Sequence, residues 1–167
     1  MIRPRLEDWT IELVRELAEN ATDENDWFDF KEMLNEPEKT NRQSGLERLR
    51  KSVAAFANSS GGFLIFGVSD KPRKLVGLKE REFSRDFGTK IKDGIEPSVD
   101  FVAPRELPLA DGASIYVVYI PKSQRGPHWV HVSADKNSGA RVFLKRTAAG
   151  SNQEMSYEEV RASFQNH

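Results

Sequence analysis

The stretch Val53-Ala-Ala-Phe-Ala-Asn-Ser-Ser-Gly-Gly-Phe-Leu-Ile-Phe-Gly-Val-Ser-Asp70 leaves this chain few ways to fold. Leu46, Leu49, Val53 and Phe56 recur at three- and four-residue steps, the spacing of one face of a helix. Gly61-Gly62 stops that helix, because glycine accepts the positive φ of a helix C-cap without a steric penalty. Phe63–Val68 is then an unbroken apolar run, short and β-rich, which predicts a central strand covered on both faces. Asp70 follows at the strand's carboxyl end, where α/β layers place their chemistry.

Other segments fill in around this unit. Leu6, Trp9, Leu13, Val14 and Leu17 predict an amphipathic opening helix ending near Asn20. Trp27–Lys31 alternates as a strand, with Phe28 and Phe30 toward the core and Trp27, Asp29 and Lys31 on the other side. Residues 35–45 read as a polar loop. Lys74–Gly77 is a candidate hairpin partner for the central strand. Phe83, Phe87, Ile91 and Ile95 keep a four-residue step, which predicts a second core helix over 79–95, ended by Pro97. Ser98–Pro104, Ala113–Ile120 and Ala140–Lys145 read as strands, with a turn at Pro108 and Asp111-Gly112. Residues 124–139 form a long connection, with a strand around Trp129–Val132. Ser156-Tyr-Glu-Glu159 has the capping-box spacing that opens a last helix. The alternation predicts a single α+β domain over 1–167: an N-terminal helix over 1–20, then a mixed or mostly antiparallel sheet packed with about four helices.

Bulk properties narrow the function. There is no cysteine, no apolar run long enough for a bilayer and no apolar leader, so a cytoplasmic, membrane-free protein is the expectation. The formal net charge of −1 argues against coating nucleic acid by overall charge. It is unevenly spread, however: residues 1–50 carry a net −5 and residues 51–167 a net +4. No phosphate-cradling Gly-rich motif is present. His128 and His131 read as a surface-loop pair and not as a metal site. Glu24, Asp29 and Asp70 lie at or near strand ends. Three such carboxylates suit Mg²⁺ or Mn²⁺, and Lys31 shares a face with Asp29.

Two linked strings carry a resemblance. Glu24-Asn-Asp-Trp-Phe-Asp-Phe-Lys31, followed by the 53–70 stretch, resembles the AlbA_2-type domain of the Schlafen family. That family's pattern is an acid, four residues, Glu-Phe-Lys, then Ala-Phe-Ala-Asn…Gly-Gly and Gly-Val-x-Asp. Gly77-Leu78, Ile95-Glu-Pro97, Val117–Pro121 and Phe143–Gly150 are similar to its later landmarks, so the likeness runs over about 24–164. The resemblance implies nucleic-acid binding, RNA ahead of DNA, and in some members metal-dependent endoribonuclease action on structured RNA such as transfer RNA. The three acids and the metal, Mg²⁺ or Mn²⁺, would then fall on Glu24, Asp29 and Asp70, with Lys31 at the phosphate. The second acid is Asp here where the family has Glu, and a displacement of about 1 Å at a reacting centre can cost orders of magnitude in rate.

Members with two lobes in one chain form a basic groove, so a single lobe implies a homodimer. Candidate phosphate contacts are Lys31, Arg48, Lys51, Lys71, Arg73, Lys74, Lys145 and Arg146. The last two stand beside Thr147–Gly150, a small-residue loop whose amides could hold an anion. The alternatives are a non-catalytic DNA-binding, regulatory or protein-interaction module and, third, a nucleotide-binding domain.

Overall fold

The first helix of the 53–70 unit lies in the middle of the molecule. In the computed structural model, which describes residues 2–20, 25–33, 45–79, 83, 87–134 and 138–166, helix α2 (Gly45–Asn58) is buried at every position from Ser52 to Ala57. The three- and four-residue spacing predicts one apolar face. Leu49, Val53 and Phe56 do pack as expected, but Ala54, Ala55 and Ala57 fill the other sides. Alanine lets neighbouring layers come close without losing helix propensity.

The first of those layers is a sheet in the order β1-β2-β5-β4: β1 (Phe28–Lys31), β2 (Gly62–Phe66), β5 (Ser114–Ile120) and β4 (Arg105–Pro108). β1 runs parallel to β2, and the other pairs are antiparallel. Leu64, Phe66, Tyr116, Val118 and Ile120 face α2. Phe28, Phe30, Phe63, Ile65, Ile115 and Val117 face the N-terminal helices. The second layer is a sheet in the order β3-β6-β7-β8: β3 (Ile95–Glu96), β6 (Trp129–Ala134), β7 (Ser138–Arg146) and β8 (Asn152–Glu154). Val130 and Leu144 turn from it onto α2. Helix α3 (Phe87–Lys92) closes one side of the α2 core through Phe87 and Ile91. Helix α4 (Tyr157–Gln165) opens on the expected capping box at Ser156 and Glu159. The α+β class and the mixed pairing hold, with the strands divided between two sheets.

The two glycines that end α2 are required for different reasons. Gly61 has φ +70°, and its amide donates to the Phe56 carbonyl at 2.9 Å. A Cβ there would stand 2.7 Å from the Ile120 carbonyl oxygen. At Gly62 a Cβ would meet the Phe56 ring at 2.5 Å and the Trp27 carbonyl oxygen at 2.7 Å. One glycine serves the turn, and the other lets α2 and β1 close on β2.

Several local expectations shift. The opening helix is two pieces, a 3-10 turn over Leu6–Asp8 and α1 over Ile11–Asn20, because Thr10 caps the second: its Oγ1 accepts from the Leu13 amide at 3.2 Å. Trp27 precedes β1, so alternation does not govern it. Its ring packs on the N-terminal side, 4.6 Å from Phe28 and 6.3 Å from Trp9. Ile95 belongs to β3 and not to a helix, since Asp93-Gly94 turns the chain first. The strand expected at Ser98–Pro104 falls instead at β4, beside the turn closed by the Leu109 amide on Ala113. Lys74–Gly77 does turn back antiparallel on the central strand, but beyond the end of β2: Leu75 bridges Val68, and the Ser69 amide donates to Lys74 O while the Val76 and Gly77 amides donate to Gly67 O. β6 and β7 are longer than expected, and β8 was not anticipated. The predicted loop lies mostly outside the described residues, as does Glu24. Among the described residues, no helix is long and apolar enough to cross a membrane.

Candidate functional site

Asp29 and Lys31 alternate with Phe28 and Phe30 on β1, and their register with Leu64 and Phe66 puts them on the α2 side of the first sheet. That side is not solvent, because α2 and the second sheet cover it. Asp29 is therefore 3% exposed. Its Oδ2 lies 3.0 Å from Lys31 Nζ and 3.8 Å from Arg146 Nη1. Burying a carboxylate is tolerable only with such company.

Arg146 holds this seam together. It leaves β7 and points inward, with its guanidinium 4.8 Å from the centre of the Phe56 ring. Nε donates to the Asn25 carbonyl at 3.1 Å, Nη2 to the Phe28 carbonyl at 3.4 Å and Nη1 to Asn152 Oδ1 at 2.9 Å. Asn152 in turn donates to Ser52 Oγ on α2 at 3.1 Å. One planar fork thus ties β7 and β8 to β1 and α2. Its donors are turned into the protein, which corrects the expectation of a phosphate contact. The adjoining loop is likewise closed on itself. The Thr147 amide donates to Ser151 O, the Gly150 amide to Thr147 O and the Ser151 amide to Thr147 Oγ1. Those three amides do not face an anion.

The open end of the first sheet differs. The Lys31 carbonyl accepts from the amides of Gly67 (2.8 Å) and Val68 (3.2 Å), so the end of β1 sits beside the turn that follows β2. Ser69 closes that turn, donating to the Pro72 carbonyl at 2.6 Å and accepting from the Lys74 amide at 3.1 Å. Asp70, Lys71 and Lys74 are exposed on it. Arg73 is half-buried, its guanidinium 5.4 Å from the centre of the Phe30 ring.

The remaining cations are partly engaged. Lys51 stands 4.0 Å from the buried carboxylate of Glu47, one turn back on α2. Arg48 is half-buried on the same helix. Lys145 is paired with Glu159 of α4. The Lys145 ammonium, and then the Ser156 amide, hold the Glu159 carboxyl below its ordinary titration range. A depressed carboxyl pKa stabilises the folded state at neutral pH, and that contribution is lost as pH falls through the folded value. Amide protection along α4 should therefore drop below about pH 4, and Glu159→Gln should remove the step. Hydrogen exchange against pH measures both; an identical step in the variant would refute the assignment.

Family comparison assigns this arrangement. The sequence model described as Schlafen, AlbA_2 matches residues 24–156, most of the chain. The chain belongs to the Schlafen AlbA_2 family. It is 32% identical over 82 residues to the "Uncharacterized ATP-binding protein UU034" of Ureaplasma parvum, a match covering 47% of this chain and 21% of that protein. Its fold is similar to the crystal structure of the DIP2311 protein from Corynebacterium diphtheriae, with a TM-score of 0.52 at 21% identity over 92% of this chain and 28% of that one. The chain thus spans about a fifth of the curated relative and under a third of the solved one.

From the sequence, a metal is expected at three acids, Glu24, Asp29 and Asp70. Of these, Asp29 is buried beside two cations, Asp70 is exposed on the turn and Glu24 lies outside the described residues. Among the described residues, no group of three acids or histidines could hold a metal ion. The described donors therefore do not by themselves make a cage for Mg²⁺ or Mn²⁺.

Sequence reasoning missed three polar residues inside this AlbA_2 domain. Glu47, not singled out by the sequence, is 4% exposed on α2. Asn58, read only as part of a turn, donates through Nδ2 to the carbonyls of His128 (2.8 Å) and Leu144 (2.9 Å), and its Oδ1 accepts from the His128 amide at 2.7 Å. His128 is no surface feature: it is 1% exposed. Its Nδ1 bonds the Pro97 carbonyl and its Nε2 lies 2.6 Å from Ser123 Oγ. A carbonyl only accepts, so Nδ1 carries the proton and, in the neutral ring, Nε2 accepts from the Ser123 hydroxyl. The one available signal was Asn58 directly after the apolar run Val53–Ala57, where a polar side chain must find partners.

Proposed function

We propose that this domain binds nucleic acid, RNA ahead of DNA, as a homodimer in the cytoplasm. The observation that carries the reading is the basic turn after β2: Lys71, Arg73 and Lys74 stand together at the carboxyl end of the parallel pair, next to Lys31, in a chain of the Schlafen AlbA_2 family. Exposed ammonium groups on a tight turn contact phosphate oxygens at low entropic cost. Each phosphate contact adds about 0.7 to the slope of log affinity against log salt for a single strand. Lys31 and Lys51 are mostly buried beside Asp29 and Glu47 and border this turn at most with their tips, and Lys145 joins the contact line when Glu159 releases it.

The finer reading is metal-dependent cleavage of structured RNA. It needs Glu24 to join Asp29 and Asp70 at an Mg²⁺ or Mn²⁺ ion, with Lys31 at the phosphate. The second reading, nucleotide binding, is favoured by the name of the Ureaplasma relative, an ATP-binding protein. Against it, the Ser59 and Gly61 amides of the double-glycine turn both donate to the Phe56 carbonyl and offer no phosphate cradle.

The deciding experiment is binding and gel analysis of purified protein with transfer RNA, single-stranded RNA, DNA and ATP, with Mn²⁺, Mg²⁺ or chelator. The triple variant Lys71→Ala, Arg73→Ala, Lys74→Ala should weaken RNA binding about tenfold or more and reduce the salt slope by about 2. No RNA or DNA affinity at low salt would sink the proposal, and ATP binding alone would favour the second reading. Metal-dependent cleavage that vanishes in Asp70→Ala would establish the nuclease.

A further inference from the structure

The outer face of the second sheet carries rings that neither core absorbs. β6 and β7 pair so that Trp129 lies opposite Phe143, and His131 opposite Arg141. Directly opposed residues share a face, and so do residues two apart, so all four stand together. Val130 and Val142, the intervening positions, turn the other way onto the α2 core. The Arg141 guanidinium lies 4.4 Å from the centre of the Trp129 ring, and the His131 ring is 4.5 Å from Trp129, edge to face. Helix α4 covers one end only. There Phe164 meets Phe143 at 6.0 Å between centroids and Glu159 takes Lys145, while Phe164 itself stays 60% exposed. His131 and Arg141 are exposed and Trp129 is half-exposed.

Solvent-facing rings in a contiguous row are not needed for packing and mark a docking surface. We infer that this face is a stacking platform for single-stranded nucleic acid, with Trp129 as the base-stacking residue and Arg141 as its phosphate contact. The inference rests on the nucleic-acid reading above and adds a second contact surface to it. A base offers a flat π-face of any sequence, and indole is the widest ring a protein can present to it. The Arg141 guanidinium covers a face of that ring; a base that stacks there displaces it, and its donors then meet the phosphate that follows the base. Duplexes hide their base faces and cannot use such a platform. The acids also set the strand's path. Glu96 on β3 lies opposite Trp129 and repels phosphate from that edge, whereas Glu159 at the other end is already engaged by Lys145. The backbone is thereby directed along the Arg141 side.

A short oligouridylate, titrated by fluorescence anisotropy, tests this with Trp129→Ala, Trp129→Phe and Arg141→Ala. These surface variants should melt like the parent by circular dichroism. Trp129→Ala should weaken binding about tenfold or more with an unchanged salt slope, and Trp129→Phe should restore most of it. Arg141→Ala should weaken binding and lower the slope by about 0.7. The oligonucleotide should also quench tryptophan emission in the parent and not in Trp129→Phe, because Trp9 is fully buried while Trp27, like Trp129, is half-exposed. If the parent binds and all three variants bind equally well, the platform is refuted while the nucleic-acid reading stands. A parent that binds neither RNA nor DNA refutes both. If Trp129→Ala instead changes the sedimenting mass and leaves oligonucleotide affinity alone, the occupant is a second copy of the chain and the inference is overturned.

Discussion

Arg146→Ala should destabilise this domain by about 3–5 kcal/mol, the range for breaking a buried charge pair by removing one partner. In a chain of this size that lowers Tm by roughly 6–20 °C. The variant leaves the carbonyls of Asn25 and Phe28 and the side-chain oxygen of Asn152 without this donor, and takes Arg146 from beside Asp29, leaving Lys31 there. Arg146→Lys should recover little, because a single ammonium cannot reach acceptors arranged for a fork. Asp29→Asn combined with Arg146→Met should recover part of the loss, since removing both charges also removes the penalty of an under-compensated carboxylate. Urea unfolding of the four proteins, with equal m-values, measures these differences. A loss under about 1 kcal/mol in Arg146→Ala would mean that the fork is solvated and not a strut.

Asn58→Ala should cost about 3–5 kcal/mol by a different route. It deletes three hydrogen bonds between the end of α2 and the second sheet and leaves backbone groups of His128 and Leu144 without the partners that satisfied them. Each such group costs about 1–3 kcal/mol. Asn58→Asp is the sharper variant. It keeps an acceptor for the His128 amide but sets a carboxylate oxygen against two carbonyls, so it should be less stable than Asn58→Ala. Hydrogen exchange should show the loss first in β6 and β7, with β2 and β5 still protected. Uniform loss across both sheets would show that Asn58 supports the whole core and not this junction.

What the sequence discloses follows the range of the interactions. The helix, double-glycine turn and apolar strand are legible because backbone conformation and short-range periodicity write them within a few residues. Ile95 shows where that fails: the four-residue step continues numerically through it, although Asp93-Gly94 has already turned the chain into β3. The site was legible only in part. Alternation on β1 does place Asp29 and Lys31 on one face, but nothing local reveals that a second sheet covers it. Arg146 looks like an ordinary cation at a strand end, since its partners at Asn25 and Phe28 lie 121 and 118 residues away. Asn58 is similar, with one of its partners 86 residues downstream. Trp129 and Arg141 stand out only once the register of β6 and β7 is known.

The all-round burial of the second half of α2 also has a consequence for how the chain is made. During synthesis the Val53–Ala57 turn and a half emerges with apolar groups on every side, and one of the two sheets that shield it is completed only when β7 and β8 have left the ribosome. Contacts this distant in sequence close slowly, because the loop entropy is lost before the contact is gained. For most of its synthesis this domain therefore exposes a sticky helix, which makes it a natural client for holdase chaperones and a poor candidate for expression in fragments.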